Sequence, residues 1–205
     1  GWAKERYVYF SAKFSRPFDK TRIFSNKKEE KYDSYKTYRF KSSIEAAGPD
    51  IQFVADYKTH ESEQILVKVG ISAISTANAM RNLDSEITNW DFNQVKESGK
   101  KLWNKELAKF EVTGNQKQKE TFYTAAYHAF MTPTNYFDVD RSYRGFDQNI
   151  HQAESFDNYT VFSLWDTYRA THPLFCLTQA DRNANMINSM LEHYKQSPDK
   201  LLPIW

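Results

Sequence analysis

Cysteine is almost absent from this chain: Cys176 stands alone among 205 residues. One thiol closes no internal disulfide and builds no cysteine metal cluster, so a disulfide scaffold and a structural zinc site are both excluded. Charge of one sign is lacking too, with 28 Lys and Arg against 26 Asp and Glu and a formal net charge of +2. A protein that tracks phosphates needs a clear basic excess, so no nucleic-acid partner is expected. No apolar run approaches the roughly 20 residues that span a bilayer, and pieces such as Leu174 to Leu177 are the longest. Glycine and proline number only six each, no segment is low in complexity, and no fixed-period repeat appears. The five histidines are scattered, without an H-E-x-x-H pair, which leaves a zinc hydrolase site without ligands. G-x-S-x-G, Walker and G-x-G-x-x-G patterns are missing, so serine hydrolase, NTPase and dinucleotide chemistry have no support. What the chain has in plenty is aromatic side chains, 15 Phe, 13 Tyr and 5 Trp, which argues against disorder.

The hydrophobic period changes along the chain. Val8, Phe10, Ala12 and Phe14 alternate with Tyr7, Tyr9, Ser11 and Lys13, the pattern of a strand with one buried side. An exposed hairpin tip is expected at Asn26 to Lys31, followed by Tyr35 to Phe40, a turn at Ala47-Gly48-Pro49-Asp50, then Ile51 to Tyr57 and Ile65 to Ile74. Several strands separated by turns indicate an antiparallel sheet or sandwich. From Ser75 the period is helical. Ser75 caps one helix to Glu86, and Asp91 caps another in which Gln94 completes a capping-box pattern. A third helix runs from about Lys117 to Met131, with Phe122, Ala125, Ala126, Ala129 and Phe130 on one face. A long irregular stretch from Asn135 to Thr160 follows, of the kind that usually carries function. Single helices are then expected over Phe162 to Phe175 and over Asp181 to Gln196. In the latter, Met186, Ile187, Met190, Leu191 and Tyr194 read as core.

Asp138-Val139-Asp140-Arg141-Ser142-Tyr143 begins like a calcium-binding EF-hand loop, but Tyr143 occupies the position that needs glycine and no Glu closes the loop. A polar turn in which Gly145 supplies a positive φ is the plainer reading. The run Ser163-Leu164-Trp165-Asp166-Thr167-Tyr168-Arg169 is different. A flat indole covers the C–H face of a pyranose, and a neighbouring carboxylate accepts two hydroxyl hydrogens in a fork. Arg169, one turn beyond Asp166, is placed to hold that carboxylate ionised and oriented. Spacing alone equally allows a buried Trp with an Asp–Arg pair that serves only the helix.

Five ordered blocks carry a resemblance: Val67 to Ser72, Ala77 to Leu83, Phe122 to His128, Tyr143 to Asp147, and Phe162 to Pro173. Together they resemble glycoside hydrolase family 92, the calcium-dependent exo-acting α-mannosidases, strongly from about Leu66 onward and weakly before it. The resemblance implies an α+β chain that is a piece of a larger protein. Residues 1–74 would close an N-terminal antiparallel β-sandwich, 75–110 would be linker helices, and 111–205 would open an incomplete catalytic (α/α)6 barrel. It implies inverting hydrolysis of terminal α-linked mannose, which needs two carboxyl groups roughly 6.5–9.5 Å apart. In the family the general acid follows the stretch matching Leu202 to Trp205, and the base and most calcium ligands come later still. No catalytic or metal-binding residue is therefore assigned within this chain. Trp165 and Asp166 match the pair that contacts the terminal mannose, and Arg169 joins them as a substrate-binding candidate. Arg144, Asp138 and Asp147 match family blocks without an individual contact, and Asp140 and Tyr143 read as loop scaffold. The implied partners are a mannose-containing glycan and the remainder of the parent chain, the implied cofactor is calcium, and the implied location is secreted or periplasmic. Asn158-Tyr159-Thr160 has the pattern of a glycosylation sequon and is expected to be unused. The alternative from another class is a noncatalytic carbohydrate-binding module.

Overall fold

The computed structural model describes residues 6–25, 28–29, 48 and 50–202. The strand expected over Tyr35 to Phe40 and the residues Pro203 to Trp205 lie outside them. The chain divides into two compact units, residues 14–67 and residues 1–13 with 68–205.

In the smaller unit, β2 (Lys20–Ser25) pairs antiparallel with β4 (Gln52–Asp56), and the short β3 (Lys28–Glu29) joins the other edge of β2. Register runs from Lys20 opposite Asp56 to Phe24 opposite Gln52. Arg22 grips Asp56 with two bonds of 3.0 and 2.9 Å. Phe18 stands edge-on to both Phe14 and Phe53, with centroids 6.0 and 5.8 Å apart. Arg16 ties the loops together through Glu63 at 2.7 Å and the Lys58 carbonyl at 2.8 Å.

In the larger unit, β1 (Tyr9–Phe14) pairs with β5 (Val67–Ser72), and α1 (Thr76–Glu86) packs on β5. Gly70 makes this packing possible, because a Cβ there would lie 2.2 Å from the Ala79 carbonyl oxygen and 2.8 Å from Leu83 Cβ. The sequence pattern predicts one buried face on β1 made of Val8, Phe10, Ala12 and Phe14, and the structure covers only its far end, where Ala12 and Phe14 are half-buried. Val8 and Phe10 are exposed, as are Val69 and Ile71. The polar side is engaged as well, with Ser11 donating to the Thr76 carbonyl at 2.8 Å and Lys13 paired with Asp84. Alternation identifies the two faces of a strand, but not which of them this chain covers.

Ser75 caps α1 by accepting from the Asn78 amide at 3.0 Å. Asp91 caps α2 (Phe92–Leu107) in the same way at 2.9 Å. The reciprocal arm expected of Gln94 is missing, since Asn89 binds both the Asp91 amide and the Gln94 side chain. The closed capping box is at Asn115 and Gln118, at the start of α3 (Gln116–Ala129). The predicted Phe162–Phe175 helix is two pieces, α4 (Leu164–Thr167) and α5 (Thr171–Thr178). Pro173 explains the break: in a continuous helix its ring would meet the carbonyl of Arg169, whereas in the first turn of α5 its missing N–H costs nothing. α6 (Ala180–Gln196) follows. Phe162, Phe175, Met186 and Tyr159 form the buried cluster, with Phe130, Leu164 and Met190 packed around it. Only part of the α6 stripe reaches that cluster, because Ile187, Leu191 and Tyr194 are exposed. No helix among the described residues is long and apolar enough to cross a membrane.

Candidate functional site

The stretch from Asn135 to Thr160, expected to be irregular, is a braced platform. β6 (Thr134–Asn135) pairs with β9 (Tyr159–Thr160), and β7 (Ser142–Arg144) pairs with β8 (Ile150–Gln152), both antiparallel. Partners more than twenty residues apart leave no local trace in sequence. Asn158 is wholly buried, and its Nδ2 donates to the Tyr136 carbonyl at 2.9 Å. That nitrogen is the glycan acceptor of the sequon, so the folded chain withholds it.

The polar residues singled out in this platform are spoken for. Asp138, 6% exposed, accepts from Ser72 Oγ at 2.6 Å and from Asn78 and Asn82 Nδ2 at 2.8 Å each. Asn82 also receives the Val139 amide at 3.0 Å, which locks the platform to α1. Asp140 binds Ser142 and pairs with Arg81 at 3.0 Å. The Ser142 hydroxyl first, then its amide and the Arg81 charge, hold the Asp140 carboxyl below its ordinary range against the opposing effect of burial. Arg144 donates to the carbonyls of Ala73 and Gln148 at 2.9 and 2.8 Å. Asp147 binds His151 and Asn149; burial pushes its carboxyl up, but these bonds outweigh it and the net direction is down. Gly145 does not supply the positive φ. Arg141 and Gln148 do, at 69° and 65°, while Gly145 leaves room that a Cβ would take from His151, Gln196 and Asp147, all within 2.8 Å.

The Trp165 turn is built differently. Phe162 is buried and Leu164 packs on the same cluster, so two apolar anchors straddling Ser163 fasten the segment from below. The following side chains are left outward, with Trp165 61% exposed and Asp166 exposed. The Asp166 and Thr167 amides both return to the Ser163 carbonyl at 3.1 Å, and the Tyr168 amide returns to Leu164 at 3.0 Å. The anticipated Asp166–Arg169 pair does not form. Asp166 takes the Ser163 hydroxyl, and Arg169 donates from Nε to Tyr168 Oη at 2.6 Å with its guanidinium 5.3 Å from that ring. Trp165 and Asp166 thus share one exposed turn, and Arg169 lies beside them on Tyr168.

A separate cavity of about 350 Å³ is walled by Trp103, Phe130, Tyr159, Phe175, Gln179 and Arg182, among others, and none of Trp165, Asp166 and Arg169 lines it. Glu106 at its edge is occupied by Lys109, Gln179 and Arg182. Among the described residues no three His, Cys, Asp or Glu side chains converge as a metal site. Among those residues Asp138 and Asp140 already accept from hydroxyls, amides and an arginine.

Residues 78–205 match the model of the glycosyl hydrolase family 92 catalytic domain, and residues 1–72 match that of the family's N-terminal domain. The family GH92 alpha-mannosidase BT3965 from Bacteroides thetaiotaomicron is 44% identical over 100% of this chain, with a TM-score of 0.90. The same relative is known in complex with mannoimidazole. The family GH92 inverting mannosidase BT2199 of B. thetaiotaomicron VPI-5482 shares the fold over 97% of this chain, at a TM-score of 0.78 and 23% identity. No curated protein matches the sequence. The chain spans only 27% and 26% of those two structures.

Proposed function

This chain belongs to glycosyl hydrolase family 92, and we propose that it is a segment of an inverting, exo-acting α-mannosidase that removes terminal α-linked mannose from glycans. The single observation that carries this reading is the anchored turn presenting Trp165 and Asp166 side by side on its exposed side. A pyranose on the indole buries its C–H face, and Asp166 accepts hydroxyl hydrogens from the same sugar. Ser163 donates to the Asp166 carboxylate and keeps it oriented as an acceptor. In an inverting reaction water adds to C1 as the C1–O bond breaks, the leaving oxygen gains a proton, and the water loses one to a base. The acid and base belong to parts of the enzyme outside this span. Here the chain contributes binding and orientation of the terminal sugar.

On this reading β1 and β5 belong to the end of a β-sandwich, α1 and α2 are linkers, and α3, α5 and α6 open an (α/α)6 barrel. Calcium, if the enzyme uses it, is held outside this span, and the protein meets its glycans in a secreted or periplasmic setting. In the full-length enzyme, Trp165→Ala and Asp166→Ala should each lower kcat/KM on an α-mannoside by well over tenfold, since an aromatic platform and a charged hydrogen bond each contribute about 1.5–3 kcal/mol. Rates near wild type in both variants would overturn the assignment. A noncatalytic binding module would instead bind mannose without hydrolysing any mannoside.

A further inference from the structure

The inward face of α6 is mixed in character. Met186, Ser189, Met190 and His193 recur on it at i, i+3, i+4 and i+7, and Ser189 is wholly enclosed, at 0% exposure. A buried hydroxyl in a helix interior does nothing for the helix, where alanine has the higher propensity. Its hydrogen goes back to the Asn185 carbonyl at 2.8 Å, and its oxygen accepts the Tyr159 amide of β9 at 2.9 Å. β6 does not take that amide. Tyr136 donates to the Asn158 carbonyl at 2.8 Å, so the next pair in the antiparallel β6–β9 ladder, Asn135 and Tyr159, is a non-hydrogen-bonded one whose N–H groups point away from each other. The β9 backbone is therefore clasped on both sides, by β6 and by a single serine of α6. Every atom of the clasp lies inside this span, so it does not depend on what covers the outer surface.

Ser163 lies four residues beyond Tyr159, and its hydroxyl donates to Asp166. Between them Phe162 is 2% exposed, in one cluster with Tyr159 and Met186, and edge-on to the His193 ring at 5.9 Å. Resting on the mannosidase reading, we infer that Ser189 is a positioning residue for the terminal-sugar contact: by fixing the Tyr159 amide on α6 it sets where the turn carrying Trp165 and Asp166 stands. Ser189 itself touches no sugar. Without its hydroxyl the Tyr159 N–H is buried with no acceptor, and β9 relieves that cost by moving. Phe162 shares the Tyr159 cluster, so the movement is carried on to Ser163 and through it to Asp166. A misplacement of about 1 Å at a group that orients substrate is enough to be felt strongly in binding and rate.

The test is a double-mutant cycle of Ser189→Ala and Asp166→Ala in the full-length enzyme, read as the dissociation constant of mannoimidazole by calorimetric titration. A loss of stability alone changes how much protein binds, not how tightly the folded molecules do. In the wild-type background Ser189→Ala should weaken binding at least about fivefold. In the Asp166→Ala background the same change should cost no more than about twofold, because the contact it positions is already gone. Should Ser189→Ala fail to fold, Ser189→Cys, close in volume but a weak acceptor, runs the same cycle and should weaken binding at least about twofold with Asp166 present and not without it. Equal losses in the two backgrounds, or no loss in either, overturn this inference while leaving the mannosidase reading intact. Wild-type affinity in Asp166→Ala overturns the underlying reading.

Discussion

Asp138 and Asp166 stand in opposite surroundings although both follow an aromatic residue in sequence. Asp138 is buried with three neutral side-chain donors on its two oxygens. Asp166 is exposed with one hydroxyl partner on Oδ2. A carboxylate inside a polar cage is satisfied by the fold, and its burial shields it from a ligand. One held by a single neighbour on an anchored turn is oriented and still able to accept. The difference teaches how to sort the acidic residues of this chain: by what already binds them, rather than by the motifs they sit in.

The largest effect that sharpens the contrast is on turnover. Asp166→Ala should cost well over tenfold in kcat/KM while moving the melting temperature of the full-length enzyme by no more than about 2–4 °C, as for a change near 1 kcal/mol. Next comes Gly70→Ala, which drives a methyl into the Ala79 carbonyl where β5 meets α1. It should destabilise by about 3 kcal/mol, the upper end for overpacking, as read by chemical denaturation. Asp138→Asn follows, with a loss of about 1–3 kcal/mol, because an amide NH2 would be turned toward groups that are all donors. Activity per folded molecule should hold, and a large fall in kcat/KM at unchanged stability would erase the distinction between the two aspartates.

The smallest expected effect concerns pH. His193 is buried between Phe162 and Phe146. Burial pushes its pKa below the ordinary 6.5, with Glu192 pulling weakly the other way. The unfolded chain therefore takes up a proton at a higher pH than the folded one. The stability that neutral His193 contributes is complete above about pH 6.5 and drains away as pH falls from there through its lower folded value. His193→Gln, neutral throughout, should flatten the melting temperature between pH 8 and pH 5.5 relative to wild type. An equal acid loss in both proteins would assign the effect to other groups.

Local signals were legible in the residues. Ser75 and Asp91 cap where their spacing says they should, and the period change after Ser75 is where α1 begins. The limits are just as physical. Pro173 fits the end of one helix or the first turn of the next, and only the latter is built. Arg169 is within reach of Asp166 on an ideal helix, but each takes a nearer hydroxyl, Arg169 that of Tyr168 and Asp166 that of Ser163. The β1 alternation is legible, but only Ala12 and Phe14 of its apolar face are half-buried while Val8 and Phe10 are exposed, since period carries no information about what packs along each side. The bracing of 134–160 depends on pairings between Thr134 and Thr160 and between Asn135 and Tyr159, which no window along the chain contains. The Asn115–Gln118 capping box, by contrast, is legible in the residues as Asn-x-x-Gln ahead of α3.

The most direct measurement is a crystal structure of the full-length enzyme with mannoimidazole. The account predicts the sugar ring within about 4–4.5 Å of the Trp165 indole, with an Asp166 oxygen about 2.5–3.0 Å from one of its hydroxyls. A ring bound in the active centre that touches neither side chain would contradict it.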